Sequence, residues 1–272
     1  MITVIEVSAI SDNEGIIPFS GPPFRKALVS SLSSQDPLTA KVVEMYSNRL
    51  VVTPLLRDRD YVTCGYQDEI VYPGVTYRGK IVILGEELVN PVKGWLYKKP
   101  TIKIGDVSFR VSGYSVTQKD VRELVQDKPC KNFRIRFKTP TCFRRATTPY
   151  CSLYPRMGQI MASAMRSWNQ IAPDDLKIRD YRVLTVWSDL SVVETGYNLC
   201  TTKPVEIGEG RGIVGFVGWV NYKVVDHPEW HAGSHEEMTT WMNTLLAFAS
   251  YVGVGYLRRA GFGVISYEVK RS

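Results

Sequence analysis

Hydrophobic positions change period several times along this chain, and each change marks an element. Residues 2–10 (ITVIEVSAI) are rich in β-branched side chains and predict a first strand. A loop with Gly15, Pro18, Gly21, Pro22 and Pro23 follows. From 24 to 46 the spacing is helical, broken near Asp36-Pro37, a pair suited to capping a second helical piece. Residues 49–56 and 70–84 read as strands, while Pro91 and Gly94 leave room for only a short helix between 86 and 99. Alternation returns over 101–114 through Ile102, Ile104, Val107, Phe109 and Val111. Residues 116–129 are polar and charged, which places a boundary between a domain of residues 1–118 and one of residues 130–272.

The second half opens on strict alternation, with Phe133, Ile135 and Phe137 on one face of a strand and Arg134, Arg136 and Lys138 on the other. Residues 157–171 form an amphipathic helical pattern, 181–199 and 213–225 read as strands, and 236–251 as a further helix before a last strand at 264–269. The order is βαββαβ, the ferredoxin-like arrangement. The first half follows a looser version of it. The expected fold is therefore α+β, with two tandem ferredoxin-like (RRM-like) domains, the first degenerate.

Between the last helix and the last strand runs Gly253-Val254-Gly255-Tyr256-Leu257-Arg258-Arg259-Ala260-Gly261-Phe262-Gly263. Glycine permits positive φ and close backbone approach, so such a loop can turn amides onto a phosphate, with Arg258 and Arg259 adding forked charged donors. The same glycines can also serve tight packing alone. No Gly-Lys-Ser/Thr follows, so the stretch is not a Walker loop, and its helix-to-strand setting is the reverse of a dinucleotide fingerprint.

Composition adds direction. The 272 residues are 44% hydrophobic and 22% charged, enough for a proper core in one large domain or two smaller ones. The net charge of +7 favours a polyanionic partner. Arg134, Arg136 and Lys138, with Arg144, Arg145, Arg156 and Arg166 close by in sequence, suit a surface that tracks phosphates. The cysteines, Cys64, Cys130, Cys142, Cys151 and Cys200, are widely spaced without a CxxC pair, which argues against a zinc knuckle or disulfide framework and for reduced thiols in a cytoplasm. The N-terminus lacks a signal-peptide pattern, and no apolar run reaches the length of a membrane span.

His227, His231 and His235 are spaced four apart, but Pro228 and Gly233 break the helix that would gather them round a metal. They read as a loop with incidental histidines, and no metal or cofactor is expected. Of the tryptophans, Trp187, Trp219, Trp230 and Trp241 can stack on bases, but Trp219 alternates within an apolar strand and reads as core.

An ordered set of local patterns carries a resemblance. Ile135-Arg-Phe-Lys-Thr-Pro-Thr is followed by a helix, then Gly215-Phe-Val-Gly218-Trp-Val, then a helix and the GxGxxxxxGxG loop. Over about residues 130–269 this resembles the CRISPR-associated endoribonucleases of the sixth Cas family, RAMP proteins that cut repeat RNA into guide RNA. The resemblance implies two ferredoxin-like domains, binding of repeat and guide RNA, other Cas effector subunits as further partners, and a cytoplasmic setting. It implies a metal-independent reaction in which the ribose 2′-hydroxyl attacks the adjacent phosphate, leaving a 2′,3′-cyclic phosphate and a free 5′-hydroxyl, with the product retained. RNA contacts are then expected from Arg134, Arg136, Lys138, Arg144, Arg145, Gly253, Gly255, Arg258, Arg259, Gly261 and Gly263.

The chain departs from the family's pattern in having no histidine before His227, where many members place one on or after the first-domain helix. Around that helix it offers Arg25, Lys26, Lys41, Tyr46 and Arg49. Arginine stays protonated and is a poor base, but it can hold the phosphate and stabilise its developing charge. Arg25, Lys26, Tyr46 and Arg49 are therefore the expected catalytic set. The alternative is a non-catalytic RNA-binding subunit of an effector complex.

Overall fold

A computed structural model describes residues 1–57, 61–63, 68–145, 147–148, 150–207, 212–228, 230 and 234–270. The first half runs β1 (Ile2–Ser11), β2 (Gly15–Ile17), α1 (Gly21–Ser33), α2 (Pro37–Tyr46), β3 (Leu50–Val52), β4 (Glu69–Val71), β5 (Thr76–Leu84), α3 (Val89–Tyr97), β6 (Thr101–Ile104) and β7 (Val107–Lys119). The second runs β8 (Asn132–Thr141), β9 (Phe143–Arg144), β10 (Cys151–Ser152), α4 (Met157–Trp168), α5 (Tyr181–Ser191), β11 (Val192–Thr201), β12 (Val205–Glu206), β13 (Gly212–Ile213), β14 (Phe216–Val224), α6 (His235–Val252) and β15 (Ile265–Val269).

Each half builds one antiparallel sheet. The first has the order β3-β5-β1-β7-β6, the second β11-β14-β8-β15. Within each, the second, third, first and fourth ferredoxin-like strands lie side by side. In the first half β6 is an added edge and the second strand, β3, is cut to three residues, which is its departure from the regular pattern. Asp36 accepts from the amides of Leu38 and Thr39 and so starts α2 where the sequence breaks the helical run.

One expected strand is corrected. Residues 181–191 form a helix, and the strand begins only at Val192. Asp180 caps the helix by accepting from Arg182 and Val183, and its buried residues Leu184, Trp187, Ser188 and Ser191 recur at helical spacing. The stretch holds the β-branched residues Val183, Thr185 and Val186, but the cap and the buried stripe against α4 and α6 outweigh their strand propensity.

Phe133, Ile135 and Phe137 of β8 pack with α4 and α6 in one core, which also takes in Ile2, Val51, Val82 and Leu84 of the first half. A second core fills the first half. A smaller third cluster lies at the seam and joins Phe19, Leu56 and Val62 to Val205, Val217 and Phe262. There the Val62 amide donates to the Lys138 carbonyl at 2.6 Å. Cys200 departs from the expected reduced state: it is disulfide-bonded, while Cys130, Cys142 and Cys151 are free. Cys64 lies outside the described residues. Among the described residues no helix is long and apolar enough to cross a membrane.

Candidate functional site

The Gly-rich loop packs against the first half. Helix α6 ends at Gly253, and Gly253, Gly255, Gly261 and Gly263 all have positive φ (+70°, +83°, +87° and +62°). Their freedom is used for close backbone approach. A Cβ on Gly255 would sit 2.5 Å from the Cys142 carbonyl oxygen, one on Gly261 would meet Pro54, and one on Gly263 would run into the Val254 carbonyl. Arg259 and Ala260 lie beside β3, with the Val52 amide donating to the Arg259 carbonyl at 3.1 Å and Val52 and Ala260 forming a parallel bridge. Gly21, at the start of α1, has no room for a Cβ under the Ala260 carbonyl. The loop thus seats its backbone directly against the N-terminus of α1.

Most of the amides that the sequence offered to a phosphate are occupied within the protein. Val254 donates to Gly263, Gly255 to the Ser163 hydroxyl, Tyr256 to Cys142 and Gly263 to Pro140, at 2.8, 2.8, 2.8 and 3.0 Å. Ala260 and Gly261 close turns onto Leu257 and Arg258. The glycines therefore build the loop, and the groups it presents outward are side chains.

Those side chains form a cluster that the sequence order does not reveal. Arg25 on α1 donates through Nη2 to the Ser47 carbonyl at 2.9 Å. Burial, and then the neighbouring Arg259, lower its pKa. Burial pushes Arg258 down to about 10, and the charges of Arg259 and Arg166 push in the same direction. Arg258 is still a cation at neutral pH. Among the described residues no carboxylate pairs with Arg25, Arg166, Arg258 or Arg259. Arg25 Nε and Arg258 Nη1 are buried and have no hydrogen-bond partner among the described residues. Guanidinium groups crowded together without an acid carry a desolvation cost that an arriving anion would relieve.

The other expected catalytic residues differ in their freedom. Arg49 is bound to Glu87 at 2.7 Å and lies over the Tyr46 ring at 5.0 Å, so both are held at the end of α2. Lys26 is exposed on α1. Of the expected RNA contacts, Arg144 lies over the Tyr256 ring at 5.7 Å, which ties β9 to the Gly-rich loop, and Arg145 beside it is exposed. Arg134, Arg136 and Lys138 line the face of β8 opposite its core residues, as alternation requires. Arg156 is taken up by Asp189 at 2.7 Å.

His227 and His235 lie away from this cluster, and His235 has a structural role. Nδ1 of His235 accepts from Trp187 Nε1 at 3.0 Å, and its Nε2 lies 3.2 Å from the His227 carbonyl. Because Nδ1 is accepting, Nε2 carries the proton and donates. His231 lies outside the described residues, and among those described no group of side chains could hold a metal ion. Helix α6 has 18 residues, so His235 at its start stands about 27 Å from the Gly-rich loop.

Beside the seam a cleft of about 1400 Å³ separates the open face of the first sheet from β15 and α6. Arg78, Lys80 and Lys138 line it with Tyr61, Tyr114, Tyr251 and Tyr267. Lys80 is paired with Glu6 at 2.7 Å.

Two ferredoxin-like sheets stand in tandem, joined through a Gly-rich loop, with guanidinium groups at the seam that no acid among the described residues neutralises, and solved structures place this arrangement in the RAMP-like fold. Residues 135–265 match the family model of the CRISPR-associated endoribonuclease Cas6. Solved structures similar to the whole chain are of the same kind. A Cas6 product complex superposes with a TM-score of 0.75 at 18% identity, covering 98% of this chain and 99% of that one. A Cas6-related protein from Pyrococcus furiosus does so at 0.62 and 14% identity, covering 100% of both chains. A RAMP protein described as binding different RNA substrates matches at 0.61 and 16%, covering 97% of this chain and 99% of that one. No curated protein matches the chain in sequence.

Proposed function

We propose that this protein cuts CRISPR repeat RNA to guide RNA and keeps hold of the product. The observation that carries the reading is the cluster of Arg25, Arg258, Arg259 and Arg166 at the seam between the domains, which among the described residues has no acid beside it and two buried N–H groups without a partner. In this reading the scissile phosphate sits on that cluster. The 2′-oxygen attacks phosphorus as the bond to the 5′-oxygen breaks, giving a 2′,3′-cyclic phosphate and a 5′-hydroxyl. The guanidinium groups stabilise the extra negative charge of the phosphorane, each well-placed donor contributing on the order of 10²–10³ in rate. Because these groups supply the positive charge, the reaction is expected to need no metal.

Arg25 is the first-domain residue best placed to touch the phosphate. Tyr46 and Lys26 are left to move protons, and Arg49 positions Tyr46 by lying on its ring. None of these has an unperturbed pKa near neutrality, so hydroxide takes most of the 2′ proton and the rate is expected to rise with pH. The lack of a histidine among these residues also favours a second reading, a non-catalytic RNA-binding subunit that works with other Cas effector subunits.

Incubation with the repeat RNA of its own locus in EDTA separates the two. A product ending in a 2′,3′-cyclic phosphate is the expected result. Tight binding without cutting would leave the subunit reading, and cutting that stops on chelation would refute metal independence.

A further inference from the structure

The second sheet carries a feature that the seam does not use. Directly paired residues share a face, so Asn198, Trp219, Arg136 and Ser266 form a row across β11, β14, β8 and β15. Asn221, Arg134 and Glu268 form the next row. The opposite face holds the core residues Phe133, Ile135 and Val220, so both rows look away from α4, α5 and α6. This corrects the reading of Trp219 as core. It is half-buried and belongs to none of the three hydrophobic clusters. Its apolar neighbours in sequence, Phe216 and Val220, point to the other face.

The Arg134 guanidinium lies over the Trp219 ring, 4.5 Å from its centroid, and its Nε–H donates to Asn221 at 2.8 Å. Glu268, the acid of these rows, reaches Arg136 only at 3.8 Å. An indole and a guanidinium plane stacked at the centre of an open, basic sheet present flat π surfaces with little acid nearby. That is the chemistry that receives unpaired nucleobases. Strand β8 also links this surface to the seam. Arg136 and Lys138 continue its outward row, and the carbonyls of Pro140 and Cys142 accept from the Gly-rich loop. The six residue-to-residue steps of strand from Arg134 to Pro140 span about 20 Å.

We propose that Trp219 and Arg134 form a stacking platform for a single-stranded segment of the bound RNA, with Arg136 and Lys138 taking phosphates between the platform and the seam. The proposal rests on the RNA reading given above but not on cleavage.

The test uses fluorescence anisotropy with a labelled oligoadenylate octamer, which has no hairpin, together with single-turnover cleavage of repeat RNA. Trp219→Ala is expected to weaken octamer binding about 5- to 150-fold, and Trp219→Phe to recover most of it. The cleavage rate at saturating protein should not change in either variant. Should Trp219→Ala fail to fold, Arg134→Met, which keeps the stem and removes the stacking plane, is expected to show the same loss. A parent that ignores the octamer, or Trp219→Ala and Arg134→Met variants that bind it as the parent does, would overturn the platform. If the parent leaves repeat RNA uncut while octamer binding still depends on Trp219, the platform stands and the cleavage reading falls.

Discussion

Arg258→Met is expected to make the free protein more stable and to weaken its hold on RNA. Arg258 is half-buried, its Nη1 has no partner among the described residues, and burial together with Arg259 and Arg166 lowers its pKa from the ordinary arginine value to about 10. That drop corresponds to about 3 kcal/mol held against the charged form. Solvent still reaches the group and its neighbours can relax, so about 1–2 kcal/mol should be recovered on removing the charge. Methionine keeps most of the apolar stem in place. The sign follows from the direction of the shift. The folded state disfavours the cation and the unfolded state does not, so at neutral pH the charge is a net cost that only a bound anion offsets. Thermal unfolding in low-phosphate buffer should show a midpoint raised by roughly 2–8 °C, the rise expected for about 1–2 kcal/mol in a chain of this size. Binding of uncleavable repeat RNA, carrying a 2′-deoxy residue at the cut, should weaken about tenfold or more through loss of a charge-assisted contact. A variant that loses stability while binding RNA as tightly as the parent would show that Arg258 is a packing residue, and the seam would lose its anion site.

Two other expectations test the loop and the chemistry. Gly263→Ala should cost at least about 2 kcal/mol in chemical denaturation, from strained φ and the blocked approach of the Val254 carbonyl, whereas Gly74→Ala, at φ +78° with open space around it, should cost about 1 kcal/mol; equal costs would remove the packing explanation. In single-turnover cleavage Arg25→Ala should lose about 2.7–4 kcal/mol of transition-state stabilisation, while His235→Ala should lower stability by about 1–3 kcal/mol through the orphaned Trp187 N–H and leave the rate and its rise with pH intact. Cleavage abolished by the histidine change and untouched by Arg25→Ala would refute the site assignment.

Much of the architecture could be read from local pattern. Strict alternation over 133–138 dictates which side chains of β8 face the core, because successive residues of a strand point to opposite sides, and the structure follows it residue by residue. Asp36-Pro37 marks the start of α2 because a carboxylate can satisfy orphan amides within three residues of itself. The four glycines of 253–263 mark a loop that can take positive φ, and all four do. Each of these depends on near neighbours in sequence, and so is written there.

What depends on distant partners was decided only by tertiary packing. The stretch 181–191 is helical because α4 and α6 offer a groove to Leu184 and Trp187, a contact that its β-branched composition does not encode. Trp219 sits among apolar residues in sequence, but register with β8 brings it beside Arg134 on the open face, 85 positions away along the chain. The loop amides looked available to a phosphate until Pro140, Cys142 and Ser163 took them. Arg25 and Arg259, at opposite ends of the chain, become neighbours because the loop lies against β3 and the start of α1. Charge clusters of this kind arise from through-space distance, and sequence separation carries no information about that until the chain has folded.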